Sequence, residues 1–194
     1  MKKLLMFSMA TLFLTTAIDA QTREASIKRD IASLNRKEEI IKKEKKNDRK
    51  ALRKLEGKEV SYQAKQAFET DFGNMPVTRW RRTINFDEAT FTKGGQTMTA
   101  FYDADAKLVG TTSHKTFSDI PSNAQKFINT KYKGYSKTAV VFFDDNEANE
   151  TDMMMYGNQF NDADNYFVEL KKDNNEIIVE VNMSGDVSFF KLLK

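Results

Sequence analysis

Residues 77–113 read VTRWRRTINFDEATFTKGGQTMTAFYDADAKLVGTTS, and the periodicity of this stretch decides the fold class. Trp80, Arg82, Ile84 and Phe86 fall on one face of an extended run, with Val77, Arg79, Arg81 and Thr83 on the other. Further strands are expected at 89–93, 97–102 and 107–113. Gly94-Gly95 supplies the first connection, because glycine reaches the positive φ of a tight hairpin, and Asp103-Ala104-Asp105 supplies the next. Connections this short join antiparallel neighbours, so the stretch predicts a four-stranded meander.

Working outward, a helix precedes the meander. Ser61 is a good N-cap, Ala64, Ala67, Phe68 and Phe72 recur at helical spacing, and Gly73-Asn74 stop the run. The same order returns after it. Ser118 or Asp119 caps, Pro121 sits in the first turn, Ala124, Phe127, Ile128 and Tyr132 form the apolar stripe, and Gly134 ends it. Strands are expected at 135–143, 166–172, 176–182 and 187–193, with turns at Asp173-Asn174-Asn175 and Ser184-Gly185-Asp186. The fold class is therefore α+β, a tandem duplication of a helix plus a four-stranded antiparallel sheet over residues 60–117 and 118–194. One continuous curved sheet with the helices on one face accommodates both copies.

The N-terminal part is different in kind. Lys2 and Lys3, the apolar run Leu4–Leu14 and Ala17-Ile18-Asp19-Ala20 read as a signal peptide over residues 1–20, too short in its apolar part to span a bilayer. A periplasmic or secreted location follows, and the absence of Cys from the chain excludes a lipid-anchored mature terminus. Residues 21–60 carry 14 Lys+Arg against 8 Asp+Glu, whereas residues 61–194 carry 15 against 19. Ile27, Ile31, Leu34, Ile41, Leu52 and Leu55 lie on a near-heptad spacing interrupted by Glu38, Lys45 and Asp48. Residues 21–59 thus form a long basic helical leader, broken or whole. It reads either as a solvated spacer or as a peripheral contact for an anionic envelope surface; with no aromatic residue in it to stack on bases, no nucleic-acid partner is expected.

The composition excludes much chemistry. With 0 Cys and 1 His there is no thiolate nucleophile, iron–sulfur cluster or multi-His metal cage, and no cofactor is expected. No G-x-S-x-G, H-E-x-x-H, P-loop or G-x-G-x-x-G run occurs, and His114 has no identifiable carboxylate partner, so no catalytic residue and no enzyme activity are assigned. Residues 144–165 hold seven Asp and Glu with no Lys or Arg, yet lack the spacing of a calcium loop and read as a solvated segment. Met153-Met154-Met155-Tyr156 within it is expected to form a short strand completing the second sheet, or an adaptable contact patch.

The run Ala67-Phe68, Val77, Trp80, Ala89-Thr90-Phe91, Ala100-Phe101-Tyr102-Asp103, Leu108-Val109, Ile120-Pro121, Ile128, Tyr132, Tyr135, Tyr166 to Leu170 and Gly185 resembles the secreted PepSY-like, beta-lactamase-inhibitor-like (BLIP-like) family across about residues 60–194. Ala106 departs from it, standing where many members place Gly in the first hairpin turn. The resemblance implies the tandem helix-plus-sheet fold, export, and a noncatalytic binding or inhibitory role. From the residues themselves, the partner-binding candidates are Arg79, Arg81, Thr83, Phe142, Ile178 and Phe190 on a sheet face not covered by helices, which would engage an envelope protein or peptide. The alternative is an envelope-surface adaptor binding anionic lipid or polyanion through the basic leader.

Overall fold

The computed structural model describes the backbone of residues 2–194 and the side chains from Arg23 onward, except those of Lys46, Lys50 and Glu56. The side chains of the expected signal peptide lie outside the described residues. Helix α1 covers Lys2–Glu56 and ends at Gly57, whose φ of 85° lies outside the helical region. The chain divides into two units, one ending at Leu52 and one covering Arg53–Lys194. In the first, every described side chain from Arg23 to Leu52 except Arg49 is exposed, the expected state of a helix whose apolar stripe is interrupted by charge.

The second unit begins with the last turn of α1 and continues through α2 (Tyr62–Phe72), β1 (Val77–Arg82), β2 (Asp87–Lys93), β3 (Gln96–Tyr102) and β4 (Leu108–Lys115). A 3-10 turn at Phe117–Asp119 leads to α3 (Ser122–Lys131), β5 (Ser136–Asp145), β6 (Met154–Met155), β7 (Asn158–Gln159), β8 (Asn165–Lys172), β9 (Asn175–Asn182) and β10 (Val187–Leu192). Eight strands make one antiparallel sheet in the order β1-β2-β3-β4-β5-β8-β9-β10. Four strands of this sheet follow α2 and four follow α3, with β6 and β7 lying outside it, and the two sets meet where β4 pairs β5, with Thr112 opposite Phe143.

The sheet is apolar on both faces, and each face is covered differently. On one, Ala64 and Phe68 of α2 pack on Ala89, Phe91, Ala100 and Tyr102, with the Phe68 and Phe91 rings edge-on at 5.0 Å. Ile120 and, from α3, Ala124 and Ile128 pack on Val140, Val168, Leu170 and Val179. The pairing register places both helices on the same side, since Ala100 faces Thr111 and Thr111 faces Asp144, two pleats along from Val140. On the opposite side Phe101, Val109, Phe143, Phe167 and Ile178 form a second layer, capped by Met153 and Phe160 from the segment between β5 and β8.

Three expectations change here. β6 pairs only with β7, so Met153–Tyr156 does not complete the main sheet; it folds over the sheet as a cover. The first strand stops at Arg82, and Thr83 and Phe86 close a turn in which the Thr83 N–H donates to the Phe86 carbonyl at 2.8 Å. That turn exposes Ile84 and sends Phe86 into the cluster opposite Trp80, rather than beneath the helices.

Candidate protein-binding face

The cover divides the helix-free side of the sheet into two parts. Where Phe101, Phe143, Phe167 and Ile178 project, the segment 146–164 lies over them and keeps water from the rings. Its first turn is anchored by Asn149, whose side-chain amide donates to Asp103 Oδ2 (3.2 Å) and to the Leu108 carbonyl (3.0 Å). Thr151 Oγ1 also donates to Asp103 Oδ2, while Asp103 Oδ1 accepts from the Asp105 and Lys107 N–H groups. The turn carrying Asp103 passes through Ala106 at φ 57°, the left-handed conformation that explains why glycine suits that position.

Further along β1–β4 the same face is bare. Cross-strand pairing lines up Arg79 with Thr90, Thr90 with Thr99 and Thr99 with Thr112, and beside them Thr92 with Thr97. Thr92, Thr97, Arg79, Arg81 and His114 are exposed; Thr90, Thr99 and Thr112 are half-buried. Thr90 and Thr99 share a hydroxyl hydrogen bond of 3.2 Å. Threonine suits this position because its branched Cβ favours a strand while its hydroxyl tolerates water. Arg81 is held by Glu88, its Nε donating to Glu88 Oε2 at 2.8 Å with Nη2 on the same oxygen. Arg79 has no hydrogen-bond or ion-pair partner among the described residues.

Of the six residues singled out from the sequence, Arg79 and Arg81 therefore lie on this bare face. The other four do not. Thr83 is half-buried in the turn after β1, its hydroxyl bonded to the Phe86 backbone. Ile178 is 0% exposed beneath the cover. Phe190 sits at a bulge in β10 and turns inward onto Phe167, 4.9 Å between centroids. Phe142 points to the helix side, against Tyr166 at 4.6 Å. For Ile178 and Phe190 the reason is that alternation reveals a strand's two faces but not which is roofed by a distant loop, whereas Thr83 falls beyond the end of β1 and Phe142 lies on the helix-covered face.

Two further features escaped sequence reasoning. Asp87, at the start of β2, accepts from Arg82 Nε (2.7 Å) and Nη2 (2.9 Å), from Arg53 Nη1 (3.2 Å) and from the N–H and hydroxyl of Ser61. Burial would raise its pKa, but the Arg82 and Ser61 hydrogen bonds and the Arg53 charge outweigh it and hold the carboxyl below the usual range. The second is a groove of about 680 Å³ at the end of β5, β8 and β9, lined by Asp145, Glu147, Asp162, Asp164, Glu180 and Asp186 among others. Burial, Asp162 and Asp164 together push Asp145 up to about 7. Among the described residues, no group of three or more His, Asp or Glu side chains is placed to hold a metal ion.

Solved structures share this architecture. A BLIP-like protein from Bacteroides fragilis superposes with a TM-score of 0.53 at 14% identity, over 70% of this chain and 87% of its own. The fold is BLIP-like. A DUF2874 family protein from Bacteroides uniformis matches with a TM-score of 0.54 at 13% identity, over 66% of this chain and 86% of that one. A candidate periplasmic protein from Bacteroides eggerthii gives 0.57 at 12% identity, over 70% and 90%. No protein-family profile matches the chain, and no curated protein matches it. Identities this low establish the BLIP-like fold and nothing finer.

Proposed function

We propose that the protein is an exported, noncatalytic binding module that engages a protein or peptide of the cell envelope through the bare half of its sheet, around Arg79, Arg81, Thr90, Thr97 and Thr99. The observation that carries the reading is the division of one sheet face into a sealed apolar part and an uncovered, hydroxyl-rich part bearing a guanidinium, that of Arg79, with no partner among the described residues. Threonine side chains let another backbone approach closely, and Arg79 can form charge-assisted hydrogen bonds with a carboxylate or carbonyl. The BLIP-like and candidate periplasmic neighbours support both a binding role and an envelope location. Inhibition of a partner is compatible with this face, and the partner chemistry it suits is an acidic segment.

The test compares capture of envelope proteins by wild-type chain with capture by Arg79→Glu and by Thr97→Lys, both exposed positions that leave the core intact. A discrete protein retained by the wild type and lost by both variants supports the reading. A second reading is favoured by the exposure of the described basic side chains of Lys28, Arg29, Arg36 and Lys37 in α1: adhesion to an anionic envelope surface through residues 21–59. Under it, both variants and the wild type would bind anionic vesicles equally and release them at high salt.

A further inference from the structure

The segment that covers the sheet between β5 and β8 is held at three places that differ in chemistry. Its first turn hangs on Asp103 through Asn149 and Thr151. Its hairpin is tied down by the Tyr156 hydroxyl, which donates to Glu169 Oε1 at 2.9 Å, and by the Asn158 amide, which donates to the Phe190 carbonyl at 3.2 Å. Lys191 Nζ donates to the Tyr156 carbonyl beside them. Each of these contacts pairs a donor with an acceptor. The exit, where the chain enters β8, instead sets carboxyl against carboxyl. Asp145, the last residue of β5, donates its N–H to Asp164 Oδ1 at 2.8 Å, and its side chain is hydrogen-bonded to that of Asp162. Two carboxyl groups make such a bond only while one of them holds a proton. Asp145 Oδ1 is buried with no N–H or hydroxyl on it among the described residues, so no donor of the chain stands in for that proton. Glu147 and Asp164 of the segment, Glu180 of β9 and Asp186 of the β9–β10 turn line the same groove, with no Lys or Arg among its described lining residues. Asp144 adds a further carboxyl from β5, and the nearby cations Lys115 and Lys93 act on Asp144.

We propose that the covering segment is a proton-operated lid, closed on β5 while Asp145 and Asp162 share a proton and released at its exit when they lose it. Without that proton the two carboxylates repel one another and Asp164 across a groove that offers no cation. Phe160 stands two residues before Asp162, and its ring lies 5.2 Å from that of Phe143 and 4.9 Å from that of Phe167. Its N–H donates to the Met153 carbonyl, so lifting Phe160 also bares Met153. The apolar surface uncovered in this way adjoins the bare threonine face, since Phe143 lies opposite Thr112 in the ladder. Burial, Asp162 and Asp164 raise Asp145 to about 7, whereas a carboxyl on a released segment keeps the ordinary value of about 3.9. The closed lid therefore holds one more proton than the open one between those values. Its support is complete at the acid end of that window and is lost as pH rises through about 7. The open-to-closed ratio climbs about tenfold per pH unit within the window and levels off above it.

The lid does not depend on the proposed function, and its failure would leave that reading intact. The test uses two methionines of the intact chain as probes. Met153 is 0% exposed beneath the lid and Met183 is 53% exposed, so hydrogen peroxide reaches the first only on opening and the second at all times. Site-resolved mass spectrometry gives the rate of sulfoxide formation at each. The Met153 rate relative to that of Met183 should rise about a hundredfold between pH 5 and pH 7. Asp145→Asn keeps a neutral group that can donate to Asp162 and should abolish the rise, leaving Met153 protected at pH 8. Asp162→Asn supplies an amide from the other side and should do the same, so the outcome does not hang on how well one variant folds. Sub-denaturing urea at pH 8 separates a lid from general unfolding. Lifting one segment exposes little surface, so the Met153 rate should barely change with urea. A relative Met153 rate that does not climb with pH overturns the proposal. So does a climb that persists in both variants, or one that grows with urea in step with global unfolding.

Discussion

Replacing Asp87 by Asn should be among the most damaging single changes available to the domain, and the reason is a charge count. The Asp87 side chain is 1% exposed and lies between Arg53 and Arg82, 4% and 6% exposed. An amide keeps the shape but removes the only charge that this residue offers to two buried guanidinium groups, and it turns an NH2 toward groups that are themselves donors. Breaking a buried pair in this way costs about 3–5 kcal/mol, a large share of the roughly 5–15 kcal/mol that holds a domain together. Arg53→Met is the informative contrast. It leaves Asp87 bonded to Arg82 and removes an Nε that has no partner among the described residues, losing the Arg53 hydrogen bonds to the Thr83 and Tyr102 carbonyls, so its cost should be nearer about 1–2 kcal/mol. Trp80, the only Trp, packs 5.6 Å from Phe68 and reports unfolding by fluorescence in urea. With a slope of about 2 kcal/mol/M, Asp87→Asn should lower the midpoint by about 2 M and Arg53→Met by less than half of that. Equal shifts, or a larger one for Arg53→Met, would refute the claim that the carboxylate neutralises both cations. The pH dependence gives a second check. Because the folded-state pKa of Asp87 is depressed, its contribution is present above the unfolded carboxylate value of about 3.9 and is lost as pH falls through the folded value. Wild-type stability should drop in that acidic window, and Asp87→Asn should show a flatter profile there.

Other substitutions test the remaining parts of the argument. Ala106→Gly should raise the urea midpoint, gaining about 0.5–1 kcal/mol by relieving the φ of 57° at that turn. Gly110→Ala should destabilise by about 2 kcal/mol or more, because a Cβ there would lie 2.6 Å from the Asp144 carbonyl oxygen and from the Phe143 ring; a neutral result in thermal melts would show that β4 and β5 can part. Asp145→Asn should stabilise the protein above neutrality. The Asp145 pKa is raised to about 7, so its neutral form supports the fold at low pH and that support is lost as pH rises through about 7; melting temperatures from pH 4 to 8 should fall less for the variant.

The meander 77–113 was legible because four short runs with period-two alternation are separated by turns only a few residues long, and such connections leave antiparallel neighbours as the one solution. The helices were legible through Ser61, whose hydroxyl accepts the Ala64 N–H as an N-cap should, and through stripes that end at a glycine. The candidate face was half legible. Arg79 and Arg81 alternate with Trp80 and follow the pleat, but Ile178 and Phe190 were placed by the same rule and are covered, because their cover comes from Met153 and Phe160 in a segment without period. Arg53 left no signal at all. Nothing in a helix dense with Lys and Arg distinguishes the one cation that meets Asp87, 34 residues later. The inward position of Arg82 in the alternation is the one sequence signal for this site, since a guanidinium on the buried side of a strand calls for a polar or charged partner.

What the cover leaves bare follows from the chemistry of the sheet beneath it. Phe101, Phe143 and Phe167 would each expose a large apolar ring without Met153 and Phe160 above them, so this half of the face must be sealed within the chain itself. Thr90, Thr99 and Thr112 make no such demand. The Thr90 and Thr99 hydroxyls bond one another, and the strands keep their preferred β-branched residues without a roof. A face of this kind is stable alone and stable when covered, the condition for reversible association. It offers little apolar area, so affinity under the proposed reading must come from a few charge-assisted contacts, with Arg79 foremost because Arg81 is already engaged by Glu88. Arg79→Glu should then abolish capture, while Arg81→Lys, which keeps the charge but loses the paired contact to Glu88, should weaken it only modestly. Capture that survives Arg79→Glu but fails with Arg81→Lys would invert that order and place the decisive contact on the Arg81–Glu88 pair.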